Sequence, residues 1–406
     1  MNANDPSSGH RIVVLGAGYA GVLAAIRLAR RTRRGGVAIT LVNPSDRFAE
    51  RLRMHQVAAG QELADHRLPA LLAGTGIEFV RGWATALDPE ARRVTVDGTR
   101  ELHYDTLVYA LGSGTDTSLV PGAEAHAFTL NEPRAVHRFA TRLAELAAIE
   151  GTGATEGTGR TVVVCGGGLT GVEAAAEIAE SHPGLDVTLI SREEPGAMMG
   201  DRARAHLHAG LARLGVTVRV GAAVAKVLPD AVELAGGELV PAQLRLWTAG
   251  VTVPRLAADA GVATDARGRI TVDATLRSTS HPEIYAVGDA AAVAQPWGQV
   301  HGTCQSGMPT GQYAADAIAR RLRGGRVRRP FRFGYVHQPV SIGRRDAVIQ
   351  FTHADDSPRR AYLKGRWAVL YKEMVSSSPP KLHRMSRRFN VSATLWRGGR
   401  ATRRAG

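Results

Sequence analysis

The sequence predicts an α/β protein in which two glycine-turn β–α–β units are followed by a strand-rich C-terminal region. Three observations predict it. A strand, a glycine-rich turn and an alanine-rich helix occur together in "IVVLGAGYAGVLAAIRLAR" (12–30) and again in "VVVCGGGLTGVEAAAEIAE" (162–180). The 406 residues suffice for two or three domains. Glycine is plentiful, aromatics are scarce, and alanine and valine dominate the apolar set, which suits buried parallel strands.

Along the chain, the first unit reads as strand (11–15), turn, helix (20–33) and strand (37–42), the length of a β–α–β unit. Residues 48–75 are mixed, and "FAERLRMHQVAAGQ" reads as loop or short helices. "IEFVRGWATALDPEARRVTVDG" and "ELHYDTLVYALGSG" are β-rich, with turn signals that predict a small meander attached to the sheet. A helix is predicted over 134–149, and the polar stretch "EGTGATEGTGR" (150–160) reads as a surface loop. The second β–α–β unit spans 161–191. Short helices and strands alternate over 203–250, strands return at 268–291, and a helix covers 302–323. From 331 the pattern is strand-rich ("FRFGYVHQPVSIG", "AVIQF", "RWAVLY"), and the chain ends in a basic, helical or disordered tail.

Each glycine of the repeated turn has a physical task. Gly16 and Gly166 permit a tight turn after the strand; Gly18 and Gly168 leave room for a pyrophosphate against the backbone; Gly21 and Gly171 let helix and strand pack closely. A phosphate then sits on the positive end of the helix dipole. Two such turns, each after an apolar strand and before a helix, predict two Rossmann-like domains and two bound dinucleotides. Asn43 stands where an acidic ribose ligand is usual in the first unit, and an amide still bonds ribose hydroxyls. Ser191 and Arg192 stand there in the second. An arginine pairs with a 2′-phosphate, so NADPH is expected to serve at least as well as NADH.

The net charge of +14 raises nucleic acid or anionic lipid as partners, but the arginines are scattered, and no nucleic acid is expected. The exception is the tail from Lys381, rich in arginine and free of acids; "KLHRMSRRF" sets Leu382, Met385 and Phe389 along one helical side, as in a membrane-surface helix. A solvated basic tail is the alternative. No apolar run is long enough to span a bilayer, and the N-terminus lacks a signal pattern, which predicts a cytoplasmic protein or one peripheral on the inner face of the membrane. Cys165 and Cys304 alone make no disulfide framework, and each reads as a packed side chain. No metal is expected.

"YDTLVYALG" (Tyr104 to Gly112, with Leu111 where threonine is usual) and "IYAVGD" (Ile284 to Asp289) complete a set of four motifs in order. The chain over about 11–325 resembles the FAD-dependent pyridine-nucleotide oxidoreductases. Without a C-x-x-x-x-C pair, and with "VLYKEMVSSSPP" near its end, it resembles most the type II NADH dehydrogenases and the ferroptosis-suppressor-like quinone reductases related to apoptosis-inducing factor. The resemblance implies FAD on the first glycine turn and NADH or NADPH on the second. It implies a discontinuous FAD domain (1–115 and 265–330), an NAD(P)H domain (116–264) and a C-terminal region (331–406). The implied FAD contacts are Gly16, Gly18, Tyr19, Ala20, Gly21, Asn43, Arg51, Gly112, Gly288 and Asp289. Those for the nicotinamide nucleotide are Gly166, Gly168, Leu169, Thr170, Gly171, Ser191, Arg192 and Gly250. Glu173 is placed near the nicotinamide, Lys372 at the flavin pyrimidine edge, and Gln305 at the acceptor. Pro309 and Thr310 replace the second glutamine pair of the family's quinone-bordering helix. The implied reaction is hydride transfer to flavin N5, then two electrons to a quinone-like acceptor. The alternatives are a tailoring oxidoreductase for a soluble metabolite, or a non-catalytic flavoprotein with a basic nucleic-acid surface. The oligomeric state stays open, a homodimer included.

Overall fold

Ile12, Val13, Val14 and Leu15 are four successive buried apolar residues. Such a run fits a strand covered on both faces, which a parallel sheet between helical layers provides. The computed structural model describes residues 9–149 and 159–393, and it builds this layering twice. The first unit runs β1 (Arg11–Leu15), α1 (Tyr19–Thr32), β2 (Ala38–Asn43), β3 (Glu78–Arg81) and β4 (Thr106–Tyr109). After α2 (Pro133–Ala147) come β5 (Thr161–Cys165), α3 (Leu169–Ser181), β6 (Asp186–Ser191), α4 (Asp201–Arg213), β7 (Thr217–Val220) and β8 (Leu244–Trp247). The chain continues through β9 (Ile284–Ala286), α5 (Cys304–Leu322), β10 (His337–Ile342), β11 (Asp346–Thr352), β12 (Pro358–Lys364) and α6 (Gly365–Ser386).

The first sheet has the order β9–β4–β1–β2–β3 and is parallel throughout. Its edge strand β9 returns from beyond the second unit, so this layer is discontinuous in sequence. The second sheet, β7–β6–β5–β8, is also parallel. In both, the strand before the glycine turn is flanked on one side by the next strand and on the other by a later one. That reversal of order opens a crevice at the carboxyl end, where α/β sheets bind ligands. The expected meander is present as Ala84–Asp88, Arg93–Val96 and Arg100–His103, antiparallel. β10, β11 and β12 form a further antiparallel sheet. Most of residues 150–160, and residues 394–406 of the basic tail, lie outside the described residues.

One segment departs from expectation. "RWAVLY" (366–371) is not a strand but the first turns of α6. The buried positions of that helix are Ala368, Lys372, Ser376, Pro379, Pro380, His383 and Ser386, a helical spacing of small and polar residues. Its large apolar residues Trp367, Leu370 and Met374 face outward instead. The pattern is the reverse of an ordinary amphipathic helix, so a search for buried apolar periodicity misses it.

Candidate functional site

The two glycine turns are built alike. At Gly16 the backbone has φ +95°, and a Cβ would stand 2.4 Å from the carbonyl oxygen of Ala110. A Cβ on Gly21 would stand 1.9 Å from the Gly16 oxygen. Gly166 (φ +121°) would put a Cβ 2.8 Å from the Ala249 nitrogen, and Gly171 would put one 1.8 Å from the Gly166 oxygen. These four glycines serve the chain's own packing. The middle glycines do not. Gly18 (φ −77°) and Gly168 (φ −64°) are exposed, and a Cβ on either would meet nothing within 4 Å. They are the N-caps of α1 and α3, and neither helix start has a side-chain cap or an acidic residue in its first turn. Unmet N–H groups and a positive dipole end therefore face open space at both turns, which is the donor set a diphosphate needs.

Around the first turn, Asn43 accepts a hydrogen bond from Ala17 N (2.9 Å) and donates to Ser45 O (2.8 Å). Its amide shapes the turn and keeps one N–H and one lone pair free. The Tyr19 hydroxyl accepts from Leu52 N at 3.3 Å. Ala20 is buried, its carbonyl oxygen 2.4 Å from where a Cβ on Gly311 of α5 would stand. Exposed Arg51 donates to Ser113 O, and the Ser113 hydroxyl donates to Asp289 at 2.7 Å. Gly112 (φ +69°) has open space beside it. Gly288 (φ +68°) donates its N–H to the Thr310 hydroxyl at 2.8 Å, and Thr310 donates to Gly307 O at 2.6 Å. Thr310, a departure from the family pattern in sequence, thus fixes the turn that carries Asp289. Gln305 accepts from Val336 N (2.8 Å) and donates to His337 O (3.1 Å), clipping α5 to β10.

Around the second turn, Thr170 is exposed and Leu169 half-buried against the core. Ser191 is buried, its hydroxyl donating to Glu193 O at 2.5 Å and lying 2.1 Å from where a Cβ on Gly167 would be. Arg192 is exposed, and exposed Glu193 and Glu194 follow it, so carboxylates share the turn with the guanidinium. Gly250 (φ +77°) packs against Asp116 and Leu119.

Two residues singled out separately in the sequence meet here. Lys372 Nζ lies 2.7 Å from Glu173 Oε1, and both side chains are buried. Each has further partners: Lys372 also donates to Pro339 O (3.1 Å), and Glu173 accepts from Ser341 N (3.0 Å) and Ser341 Oγ (3.1 Å). His55 Nδ1 stands 3.7 Å from Glu173 Oε2, and its Nε2 3.3 Å from Ser341 Oγ. Burial pushes the Glu173 carboxyl up, but Lys372, His55 and Ser341 together hold it below the usual carboxylate range. Burial drives His55 down to about 4, so its imidazole is neutral at pH 7. One turn further along α3, burial pushes Glu177 up to about 7 despite Arg344 and Gln61, and its Oε2 has no hydrogen-bond partner. Sequence spacing could not reveal His55 and Ser341, because this cluster draws on four separate segments. Burial pushes the thiols of Cys304 and Cys165 up to about 11 and about 12, and both are free.

Residues 10–316 match the family model described as pyridine nucleotide-disulphide oxidoreductase. An NADH dehydrogenase-like protein of Mycobacterium tuberculosis is 33% identical over 334 residues, covering 77% of this chain and 80% of the relative. The demethylphylloquinone reductase of Synechocystis is 27% identical over 378 residues, with 89% and 92% covered. In fold, the chain is similar to NDH2 of Plasmodium falciparum, solved in complex with NADH, at a TM-score of 0.76 and 14% identity, covering 93% of this chain and 97% of that one.

Proposed function

The chain belongs to the pyridine nucleotide-disulphide oxidoreductase family, and from that premise we propose that it oxidises NAD(P)H on its second glycine turn and reduces a quinone by way of FAD held on its first. It is an oxidoreductase, and relatives covering most of its length are named for NADH dehydrogenase and quinone reductase activity. One observation carries the finer reading: two open cradles at the starts of α1 and α3, identical in construction, with the middle glycine of each serving no packing need of its own. The cysteines take no part in electron relay; they lie on separate elements as un-ionised thiols.

When bound, FAD supplies the hydride acceptor and the two-electron donor. The chain's own residues do the rest. Gly18 and the start of α1 hold the FAD diphosphate, and Asp289, braced by Ser113 and the Thr310–Gly288 bond, takes a flavin-side hydroxyl. Gly168 and the start of α3 hold the nicotinamide nucleotide. The overall reaction, NAD(P)H + H⁺ + quinone → NAD(P)⁺ + quinol, draws one proton from solvent. Lys372, paired with Glu173 and backed by Ser341 and His55, holds a fixed ammonium charge in this cluster. Gln305 is a positioning residue that keeps β10, and so Ser341, against α5.

We assign residues 1–115 and 265–330 to the FAD unit, 116–264 to the nucleotide unit and 331–406 to the C-terminal region. α6 joins chemistry to the acceptor's source. Its inner side carries Lys372, and its outer side carries exposed Trp367 (74% exposed), Leu370, Met374 and Met385 beside Arg366, Lys381 and Arg384, with exposed Phe389 just past its end. Such a face lies in a lipid interface, where a quinone is dissolved. Among the described residues no helix is long and apolar enough to cross a membrane. The deciding experiment is an absorbance spectrum of the purified protein followed by anaerobic titration with NADH and NADPH, then turnover with a quinone. Flavin bands bleached by either nucleotide, and quinone-dependent turnover, are expected; a colourless protein that takes up no flavin overturns the reading. Arg192 admits NADPH beside NADH, and a hundredfold preference in kcat/KM for NADH would exclude that role.

A further inference from the structure

Three helices end together: α1 at Thr32, α5 at Leu322 and α6 at Ser386. Between their ends lies a cavity of about 660 Å³ whose lining is entirely arginine. Arg30, Arg31, Arg33 and Arg34 come from the end of α1 and the turn after it, Arg323 from the end of α5, and Arg387 and Arg388 from the end of α6. Among the described residues Arg31 alone of the seven meets a carboxylate, Asp316 at 2.9 Å. Arg30 Nη1 is buried and has no hydrogen-bond partner. Arg323 and Arg387 are held in place through backbone carbonyls, Arg31 O and Ala70 O, which fix their direction without neutralising them.

Basic residues at helix C-termini answer the negative end of the dipole, so the bland account needs a number. Three helix ends offset about 1.5 charges, and Asp316, which Arg27 also holds at 2.7 Å, offsets at most one. Roughly four positive charges remain in one concavity. Guanidiniums at that density repel one another, an anion among them offsets that repulsion, and their forked N–H pairs match phosphate oxygens. The volume is that of a small-molecule site, larger than one inorganic ion needs. The concavity is closed in by three helix ends, whereas a nucleic-acid duplex needs contacts spread along many phosphates. It stands a helix length, about 21 Å, from the first glycine turn, so it is separate from the dinucleotide cradles.

We propose that this cavity binds a compact anion bearing two or more phosphate groups, either a phospholipid headgroup or a soluble polyphosphate compound. The test uses the FAD-loaded full chain at low salt with NAD⁺ saturating, so that the second cradle is filled. Inorganic tripolyphosphate is titrated by calorimetry, at constant ionic strength. One-to-one saturable binding is expected, weakened at least about tenfold in Arg34→Gln/Arg388→Gln, both exposed positions, and again in Arg30→Gln. NADH turnover with a soluble quinone should be unchanged in these variants. Flotation with cardiolipin vesicles, whose headgroup carries two phosphates, against phosphatidylcholine vesicles then separates the sources. Loss of the cardiolipin preference in the arginine variants identifies a lipid headgroup, and its retention identifies a soluble phosphate compound. No saturable tripolyphosphate binding, binding indifferent to the arginines, or a DNA duplex that outcompetes tripolyphosphate would overturn the proposal.

Discussion

Gly168→Asp isolates the ligand space of the second turn from the packing of the chain. Gly168 has φ −64°, which any residue adopts, and a Cβ there meets nothing within 4 Å. The substitution should therefore change stability by no more than about 0.5 kcal/mol. The same open space is where a diphosphate is expected. A carboxylate about 5 Å from one phosphate charge costs roughly 3 kcal/mol at an effective dielectric near 20, and solvent screening reduces this. A rise in KM for NADH of roughly a hundredfold follows, with FAD occupancy and melting temperature as in the unsubstituted chain. Gly171→Ala is the contrast: its Cβ would stand 1.8 Å from Gly166 O, so soluble protein should be lost whatever is bound. The assay is steady-state NADH oxidation with a soluble quinone, read beside the flavin absorbance of the same sample. If Gly168→Asp folds, keeps its flavin and shows an unchanged KM, the second turn holds no nucleotide and the reasoning fails.

Four further outcomes are expected. Lys372→Met leaves the Glu173 carboxylate buried without its cation and should destabilise the chain by about 3–5 kcal/mol; adding Glu173→Gln to that variant should restore part of the loss, measured by urea unfolding, while Glu173→Gln alone strands the Lys372 ammonium and should destabilise by a similar amount. Thr310→Val removes the bond to Gly288 N and should weaken FAD retention about tenfold, read by dialysis and absorbance. Burial pushes Glu177 up from 4.5 to about 7, so the folded state holds a proton the unfolded chain has lost; that stability is present below 4.5 and lost as pH rises through about 7, roughly 3 kcal/mol in all. His55, His337 and His383 are driven by burial to about 4, and their larger summed contribution is present above 6.5 and lost as pH falls towards 4. Urea midpoints should therefore peak near neutral pH, and Glu177→Gln should gain at pH 8 but not at pH 4.5. Trp367→Glu/Leu370→Glu should abolish flotation with anionic vesicles while leaving turnover of a soluble quinone intact.

The two cradles were legible in sequence because each is local: strand, turn and helix are contiguous, and three glycines at fixed spacing state the backbone's needs. "IYAVGD" marked the strand that returns as β9, while the crossed order of both sheets is seen only in the fold. What spacing could not supply was the company each residue keeps. Glu173 and Lys372 were each given a separate partner from the resemblance, and only the fold shows that they pair with each other. Asn43 and Gln305 were read as ligand contacts, yet both bond to the backbone first, because an amide has a donor and an acceptor and the nearest unmet groups claim them.

α6 shows why its own misreading matters for function. Apolar residues at helical spacing are ordinarily a core stripe, so a strand was the remaining account of an apolar run that did not fit one. The run fits a helix once its apolar side is allowed to face away from the protein. Burial of Lys372, Ser376 and His383 on the other side then has a reason: that side must meet polar groups, and it finds Glu173 and the Tyr19 carbonyl. A helix turned this way is unfavourable in water, since it exposes Trp367 and Leu370 and buries a charge. The second cost is offset by the pairing of Lys372 with Glu173; a lipid surface over the outer face would offset the first, which is what Trp367→Glu/Leu370→Glu tests.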